Sequence, residues 1–137
     1  MQKNHIAVYL RLSLEDTGAN DESNSITAQR GIIAQFIQGQ PELASMKTVE
    51  FVDDGYSGTN FDRPGFKQMM AMVRSGDVSC IIVKDLSRFA RNYIEAGDYL
   101  EHIFPYLGIR FIAVNNHYDS NQFIGTTGGI DVAFRNF

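Results

Sequence analysis

Short apolar runs alternate along this chain with longer segments in which apolar residues recur every three or four positions. The first run, residues 6–14, is apolar at every even position, so Arg11 and Ser13 share the other face of an extended strand. The run at 78–83 has no such alternation, which is typical of a strand buried on both faces. The pattern therefore predicts strands that alternate with helices.

Local signals mark where the predicted elements begin and end. Ser25 is the expected N-cap of the first helix, Pro64 fits the first turn of the second, and Gly108 fits the C-terminal cap of the third. Polar loops are expected at 14–25 and after 114. The strands are predicted at 6–14, 48–52, 78–83 and 109–114, and the helices at 26–38, 64–75 and 91–107.

This order of elements predicts an α/β fold of three layers, with a mostly parallel sheet of four to five strands and helices on both faces. The carboxyl ends of parallel strands lie at one edge of a sheet, and sites form there. The end of the first strand, the loop 53–63 and the segment 84–91 should therefore open onto the same edge.

Size and composition indicate one ordinary globular domain. The chain has 137 residues, of which 44% are apolar and 20% charged, and these values exclude a disordered protein. No apolar run is long enough to span a bilayer, and we expect no signal peptide. The one cysteine, Cys80, fits a reducing compartment and a buried, inert position.

The net charge of −4 is not that of a non-specific nucleic-acid binder, so the type of basic residue matters more than the total, and the chain has eight arginines against four lysines. Clustered guanidinium groups repel one another unless an anion joins them, so a cluster at the predicted edge would be a phosphate site. The alternative is that each arginine pairs with its own surface acid. Arg88 and Arg91, three residues apart, are expected on one face of a helical turn. The arginines near the edge or on the first helix are Arg11, Arg30, Arg63, Arg88 and Arg91.

Ser13 shares its strand end with an arginine two residues away, and it is either a nucleophile or a turn cap. No histidine lies near it in sequence, so a hydrolase triad is not indicated. His5, His102 and His117 share no metal-ligand spacing. No glycine-rich nucleotide-binding motif occurs.

Acidic residues leave a second chemistry open. The pair Asp53–Asp54 either holds Mg²⁺ or shapes the turn before Gly55. With Asp85, these residues would make a metal-dependent nuclease or phosphatase. A third reading is a non-enzymatic α/β module whose arginines bind an acidic partner.

Four motifs, taken together, resemble the catalytic domain of the serine recombinases, the resolvase/invertase family. They are A-V-Y-L-R-L-S at 7–13, S-I-T-A-Q-R at 25–30, D-G-Y-S-G-T-N-F-D-R-P-G-F at 54–66 and V-K-D-L-S-R-F-A-R-N at 83–92. The long polar loop at 14–25 and the residues L-S-R-F-A-R-N of the last motif are most similar to those of the large serine recombinases of phages and conjugative transposons.

The resemblance implies a reaction and the residues for it. A serine would attack a DNA phosphodiester, form a 5′-phosphoserine intermediate and allow rejoining, with no cofactor and no metal. Ser87 stands where many small resolvases have an aspartate, which puts a proton-transfer role for that position in doubt. The implied catalytic residues are Ser13, Arg11, Arg63, Arg88 and Arg91, and the supporting phosphate or DNA contacts are Gln29, Arg30 and Ser87.

The resemblance also implies an organisation. Residues 1–127 would form the catalytic domain, and 128–137, with apolar Ile130, Ala133, Phe134 and Phe137, would begin a truncated long helix. A DNA-recognition domain is expected to be absent, so this fragment should bind DNA poorly. The full-length protein would act on DNA in the cytoplasm as a homodimer and a synaptic homotetramer, with room for an accessory directionality protein.

Overall fold

The computed structural model describes residues 5–13 and 25–123. The predicted loop at 14–25, save Ser25, and the predicted helix at 128–137 lie outside the described residues. Within the described ranges, no helix is long and apolar enough to cross a membrane. The strands are β1 His5–Leu12, β2 Lys47–Asp54, β3 Val78–Val83, β4 Arg110–Ala113 and β5 Tyr118–Asp119, and the α-helices are α1 Ile26–Gln38, α2 Pro41–Ala44, α3 Pro64–Arg74, α4 Leu86–Phe89, α5 Tyr93–Asp98 and α6 Phe104–Leu107.

The five strands form one sheet in the order β2-β1-β3-β4-β5. Neighbouring strands are parallel except β4 and β5, which are antiparallel. Leu12 lies opposite Asp54, and Val83 lies opposite Ala113, so the carboxyl ends of the four parallel strands share one edge. The predicted α/β class and the shared edge are confirmed.

Alternation along β1 divides the core into two layers. Ala7 and Tyr9 belong to a cluster with apolar residues of α3, α5 and α6. Ile6, Val8 and Leu10 belong to the other cluster, with apolar residues of α1 and α2. The sheet therefore has helices on both faces, as the sequence pattern predicts.

The predicted caps are confirmed. The Ser25 Oγ accepts a hydrogen bond from the backbone N–H of Ala28 at 3.0 Å. Pro64 opens α3, and Gly108 ends α6 in the left-handed region with φ of 72°. These local signals were sufficient because each depends on one residue's own backbone chemistry.

The predicted helix at 91–107 is wrong in its detail. It begins at Tyr93, and its middle, Tyr99–Ile103, is a π-helical turn. The N–H of Phe104 donates to the carbonyl of Tyr99, five residues back, immediately before Pro105, which has no N–H to donate.

Several short elements were not predicted. The strand β5 lies within the predicted polar loop, α2 is separated from the end of α1 by two residues, and α4 lies between β3 and the predicted third helix. β5 is held by Arg110 of β4, whose Nε and Nη2 donate to the carboxylate of Asp119 at 3.0 and 2.6 Å. This contact crosses two strands, so no local sequence pattern predicts it. The first strand also ends at Leu12, two residues earlier than predicted.

Candidate active site

Ser13 follows β1 directly and is almost fully buried at the carboxyl edge of the sheet. Gln29, buried on α1, fixes the backbone two residues before it. The Gln29 Oε1 accepts from the Arg11 N–H at 3.3 Å, and the Gln29 Nε2 donates to the Arg11 carbonyl at 2.9 Å. The first helix therefore holds the end of the strand that carries Ser13.

Arg11 is fully buried, and its guanidinium joins two other segments to the end of β1. Its Nε donates to the carbonyl of Arg88 at 3.0 Å and its Nη2 to the carbonyl of Ser87 at 2.6 Å. Its Nη1 donates to the carbonyl of Tyr56 at 2.9 Å. Arg11 thus ties the loop 53–63 and the segment 84–91 to one strand end.

Arg88 is buried on α4 and faces back toward β1. Its Nη1 donates to the Arg11 carbonyl at 3.2 Å, while its Nε and Nη2 donate to the Ser87 Oγ at 3.3 and 3.2 Å. The Ser87 hydroxyl in turn donates to the carboxylate of Asp85. Two side chains of its own segment and one carbonyl of β1 therefore surround this guanidinium.

Arg91 is exposed and does not share a helical turn with Arg88. Helix α4 ends at Phe89, and Ala90 is extended with φ −162° and ψ 149°, so the predicted common face of these two arginines is wrong. The Arg91 N–H instead donates to the carbonyl of Gly58 at 2.7 Å.

Gly58 is the point where Arg11 and Arg91 come together. A Cβ on Gly58 would lie 2.7 Å from Arg11 Nη2, closer than a real Cβ approaches such an atom, and it would be a tight 3.1 Å from Arg91 Cγ. The loop 53–63 can therefore cover Arg11 only because this residue has no side chain.

Arg63 is fully buried and turned into the core. Its Nε and Nη2 donate to the carbonyls of Asn60 and Phe89 at 2.9 and 2.7 Å, and its Nη1 donates to the Tyr9 hydroxyl at 2.9 Å. Its Cζ lies 4.8 Å from the centre of the Phe61 ring, a distance at which a cation is attracted to the ring face. Arg63 thus packs the loop 53–63 against the end of α4.

Asp53 ends the same buried chain of contacts. The Tyr9 hydroxyl donates to Asp53 Oδ2 at 2.7 Å, and the N–H groups of Gly65 and Phe66 donate to its two oxygens at 2.7 and 2.9 Å. The carboxylate therefore satisfies the free N–H groups at the start of α3. Burial, more than the adjacent carboxylate, raises the pKa of Tyr9 far above its ordinary value.

This placement bears on the metal alternative. Both oxygens of Asp53 face protein donors, Asp54 is exposed, and Asp85 caps α4 through the N–H of Arg88 at 3.2 Å. Across residues 5–13 and 25–123, no group of three or more histidine, cysteine, aspartate or glutamate side chains could hold a metal ion. The geometry favours a local structural role for Asp53, as a helix cap rather than as part of a turn.

The charges of the site act on one another. Burial, and then the nearby charges of Arg88, Arg63 and Arg91, lower the pKa of Arg11 from 12.5 to about 10. Arg11 stays charged at neutral pH because this value is still well above 7. Four of the five predicted arginines therefore make one positively charged region at the strand ends.

Arg30 is placed differently. It is exposed on α1, and its Nε donates to Glu50 of β2 at 2.6 Å. For this arginine the alternative of pairing with its own surface acid holds, and the hydrogen bond to Glu50 raises its pKa.

Sequence reasoning missed the part that Tyr9 plays. Tyr9 has the same parity in β1 as Arg11 and Ser13, so it lies on the face that carries the site, and this alternation was the signal available. Its hydroxyl is the link between Arg63 and Asp53.

Comparisons with known proteins agree with this geometry. The sequence profile of the family described as Resolvase, N terminal domain, matches residues 6–128. No individual curated protein matches the chain.

Three solved structures are similar in fold. The N-terminal catalytic domain of TP901-1 integrase has a TM-score of 0.75 and 20% identity, over 96% of this chain and 93% of that one. A resolvase family site-specific recombinase from Streptococcus pneumoniae has a TM-score of 0.70 and 28% identity, over 98% of this chain and 85% of that one. The C-terminal catalytic domain of ISC1926 TnpA, an IS607-like serine recombinase, has a TM-score of 0.61 and 22% identity, over 80% of this chain and 70% of that one.

Proposed function

The chain belongs to the resolvase family of serine site-specific recombinases, of which it is a catalytic domain, and we propose that Ser13 is the nucleophile of the reaction. One observation carries the proposal. The end of β1 and the segment 84–91 bring the buried Arg11 and Arg88 and the exposed Arg91 together at the strand end that Ser13 follows. A site of this charge suits a phosphodiester better than any neutral substrate.

The proposed reaction is a transesterification. The Oγ of Ser13 attacks the phosphorus of a DNA phosphodiester and loses its proton, while the bond to the 3′ oxygen breaks and that oxygen takes up a proton. The product is a 5′-phosphoserine ester and a free 3′ hydroxyl. The reverse attack by a 3′ hydroxyl rejoins the strand. The phosphoserine ester retains the energy of the phosphodiester bond, so rejoining needs no nucleotide cofactor.

The arginines would stabilise the charge that develops on the phosphoryl oxygens. One well-placed arginine contributes roughly 10³–10⁵ in rate to other phosphoryl transfers, about 4–7 kcal/mol. The exposed Arg91 and the neighbouring Arg88 are proposed to contact the phosphate. Arg11 is buried and its N–H groups donate to backbone carbonyls, so it is proposed to act on the phosphate through its charge alone. These effects would not be additive because the groups act as a unit.

The remaining candidates are proposed to shape the site. Gln29 fixes the backbone before Ser13, and Arg63 holds the loop that covers Arg11. Arg30, on the exposed face of α1, is a candidate contact to the DNA backbone outside the reaction centre.

The family acts on DNA and as oligomers. We extend this to a homodimer that pairs into a tetramer at two DNA sites, working in the cytoplasm with an accessory directionality protein. Membership in the family supports this extension.

The test is strand cleavage by the full-length recombinase on DNA that carries its recombination site, in the presence of a chelator. We expect a covalent protein adduct on the 5′ end of the cut strand and none with Ser13→Ala. An adduct that survives in Ser13→Ala, or that disappears on chelation in the wild type, would overturn the proposal.

A further inference from the structure

Asp85 and Ser87 form a hydrogen-bonded pair beside the guanidinium of Arg88. The Ser87 hydroxyl gives its hydrogen to the Asp85 carboxylate. A hydroxyl has one hydrogen and two lone pairs, so the lone pairs of Ser87 are left to face donors. Arg88 supplies those donors, with its Nε and Nη2 at 3.3 and 3.2 Å from Ser87 Oγ.

The far side of the same guanidinium faces the strand that leads to Ser13. The Arg88 Nη1 donates to the Arg11 carbonyl at 3.2 Å. The guanidinium is therefore held from two sides, by Ser87 Oγ and by the end of β1. Because it is planar, two such anchors fix its orientation as well as its position.

The negative charge of the Asp85 carboxylate also offsets part of the repulsion among the arginines. Its Oδ1 lies 3.7 Å from Arg88 Nε, and its Oδ2 lies 3.7 Å from Lys84 Nζ. Lys84 is itself buried, so Asp85 is the acid between two buried cations. A negative charge here lowers the cost of keeping Arg88 beside Arg11.

We infer that Asp85 and Ser87 are positioning residues, which act as one unit to aim the Arg88 guanidinium at the end of β1. The inference rests on the proposed function of Arg88 as a phosphate contact. It assigns to Ser87 a role inside the protein rather than a contact to DNA. It assigns to Asp85 a role in addition to capping α4.

A purely structural role for Asp85 makes a different prediction. Asp85 caps α4 by accepting from the Arg88 N–H at 3.2 Å, so its loss disturbs the helix turn by itself. Ser87→Ala leaves this cap in place and removes only the link between the carboxylate and the guanidinium. If capping were the whole role, Ser87→Ala would be silent.

The first test observes Arg88 directly in the 137-residue chain. The Arg88 Nε–H resonance, assigned by its loss in Arg88→Lys, should exchange slowly with solvent in the wild type. We expect faster exchange in Ser87→Ala and Asp85→Asn, and near wild-type exchange in Ser87→Thr, which restores the hydroxyl. Asp98→Asn is the matched control, because the exposed Asp98 carboxylate lies 3.3 Å from Nδ1 of the exposed His102.

The second test separates rate from binding in the full-length recombinase. We expect Ser87→Ala and Asp85→Asn to slow formation of the covalent adduct by roughly ten- to a hundredfold, with DNA affinity unchanged. Ser87→Thr should recover most of the rate. Thermal unfolding of each variant shows whether the fold is kept.

The outcomes are distinguishable from failure of the proposed function. Wild-type exchange at Arg88 Nε–H in Ser87→Ala would overturn the inference, whether or not Ser13 is the nucleophile. So would an unchanged cleavage rate in a folded Ser87→Ala protein. An adduct that persists in Ser13→Ala would instead overturn the proposed function and leave the exchange result standing.

Discussion

Arg11 and Arg88 each hold the other's backbone. The Arg11 Nε donates to the Arg88 carbonyl at 3.0 Å, and the Arg88 Nη1 donates to the Arg11 carbonyl at 3.2 Å. Two like charges are thereby kept side by side, with carbonyl dipoles between them. Both bonds join the end of β1 to α4, which follows β3, so the site is built on the edge of the sheet.

Arg11→Lys should destabilise the chain although it keeps the positive charge. A lysine cannot reach the carbonyls of Tyr56, Ser87 and Arg88 together, because it lacks the planar fork of donors. We expect a loss of about 2–4 kcal/mol in the free energy of unfolding. Urea unfolding measures it. Arg74→Lys, at the exposed end of α3, is the matched control, and equal midpoints for the two variants would contradict the prediction.

Gly58→Ala should impair cleavage more than stability. The new Cβ would meet Arg11 Nη2 at 2.7 Å, so the loop or the guanidinium must move. We expect covalent adduct formation by the full-length recombinase to fall by about 10²-fold.

The control for that variant is Gly31→Ala, in the interior of α1, where nothing lies within 4 Å of an added Cβ. It should leave cleavage intact and stabilise the chain by about 0.5–1 kcal/mol, because alanine favours a helix. Cleavage by Gly58→Ala at the wild-type rate would contradict the prediction, because it would show that the loop accommodates the added Cβ without disturbing the site.

Tyr9→Phe should lower the free energy of unfolding because it removes the Tyr9 hydroxyl. Its hydroxyl accepts from Arg63 and donates to Asp53, so the variant leaves a buried guanidinium N–H without this acceptor. We expect a loss of about 1–3 kcal/mol in urea unfolding. Tyr106→Phe, on the exposed surface of α6, should change stability by less than about 0.5 kcal/mol.

Alkaline pH should unfold the chain partly through Cys80. Burial raises the pKa of its thiol from 9.0 to about 12 in the folded state. The unfolded thiol loses its proton first, so the stabilising effect is complete below pH 9.0 and is lost as the pH rises toward 12. The slope of the free energy of unfolding is about 1.4 kcal/mol per pH unit in that window.

Urea unfolding of the wild type and Cys80→Ala at about pH 8 and about pH 10.5 measures this effect. The stability difference between the two proteins should narrow at the higher pH, since only the wild type carries the thiol. Tyr118, whose pKa burial raises to about 12, acts in the same direction in both proteins and cancels in the comparison. A constant difference would contradict the prediction.

Much of the architecture was predictable because its signals are local. Alternation in β1 puts Tyr9, Arg11 and Ser13 on one parity, and the run at 78–83, which lacks alternation, predicts the doubly covered strand that proves to be the central strand β3. Caps at Ser25 and Gly108 need only one side chain or one backbone angle. Parallel strands then bring the three polar segments to one edge.

The contacts inside the site were not predictable from such signals. The acceptors of the Arg11 guanidinium are carbonyls 45 to 77 positions away in sequence, and any residue type can supply a carbonyl. Ala90, which separates Arg88 from Arg91, is extended although alanine favours the helix, so its own propensity does not predict this conformation. Placement of Arg63 among aromatic rings likewise depends on the assembled core.

The span between Ser13 and Arg88 has a consequence during protein synthesis. In the proposed mechanism Ser13 acts with Arg88, and Ser13 leaves the ribosome 75 residues before Arg88 does. A nascent chain therefore displays an ordinary serine, with no power to cut DNA. The proposed site is complete only when β3 and α4 have been synthesised and have packed against β1. An unfinished chain would therefore lack the arginine that the cleavage reaction requires.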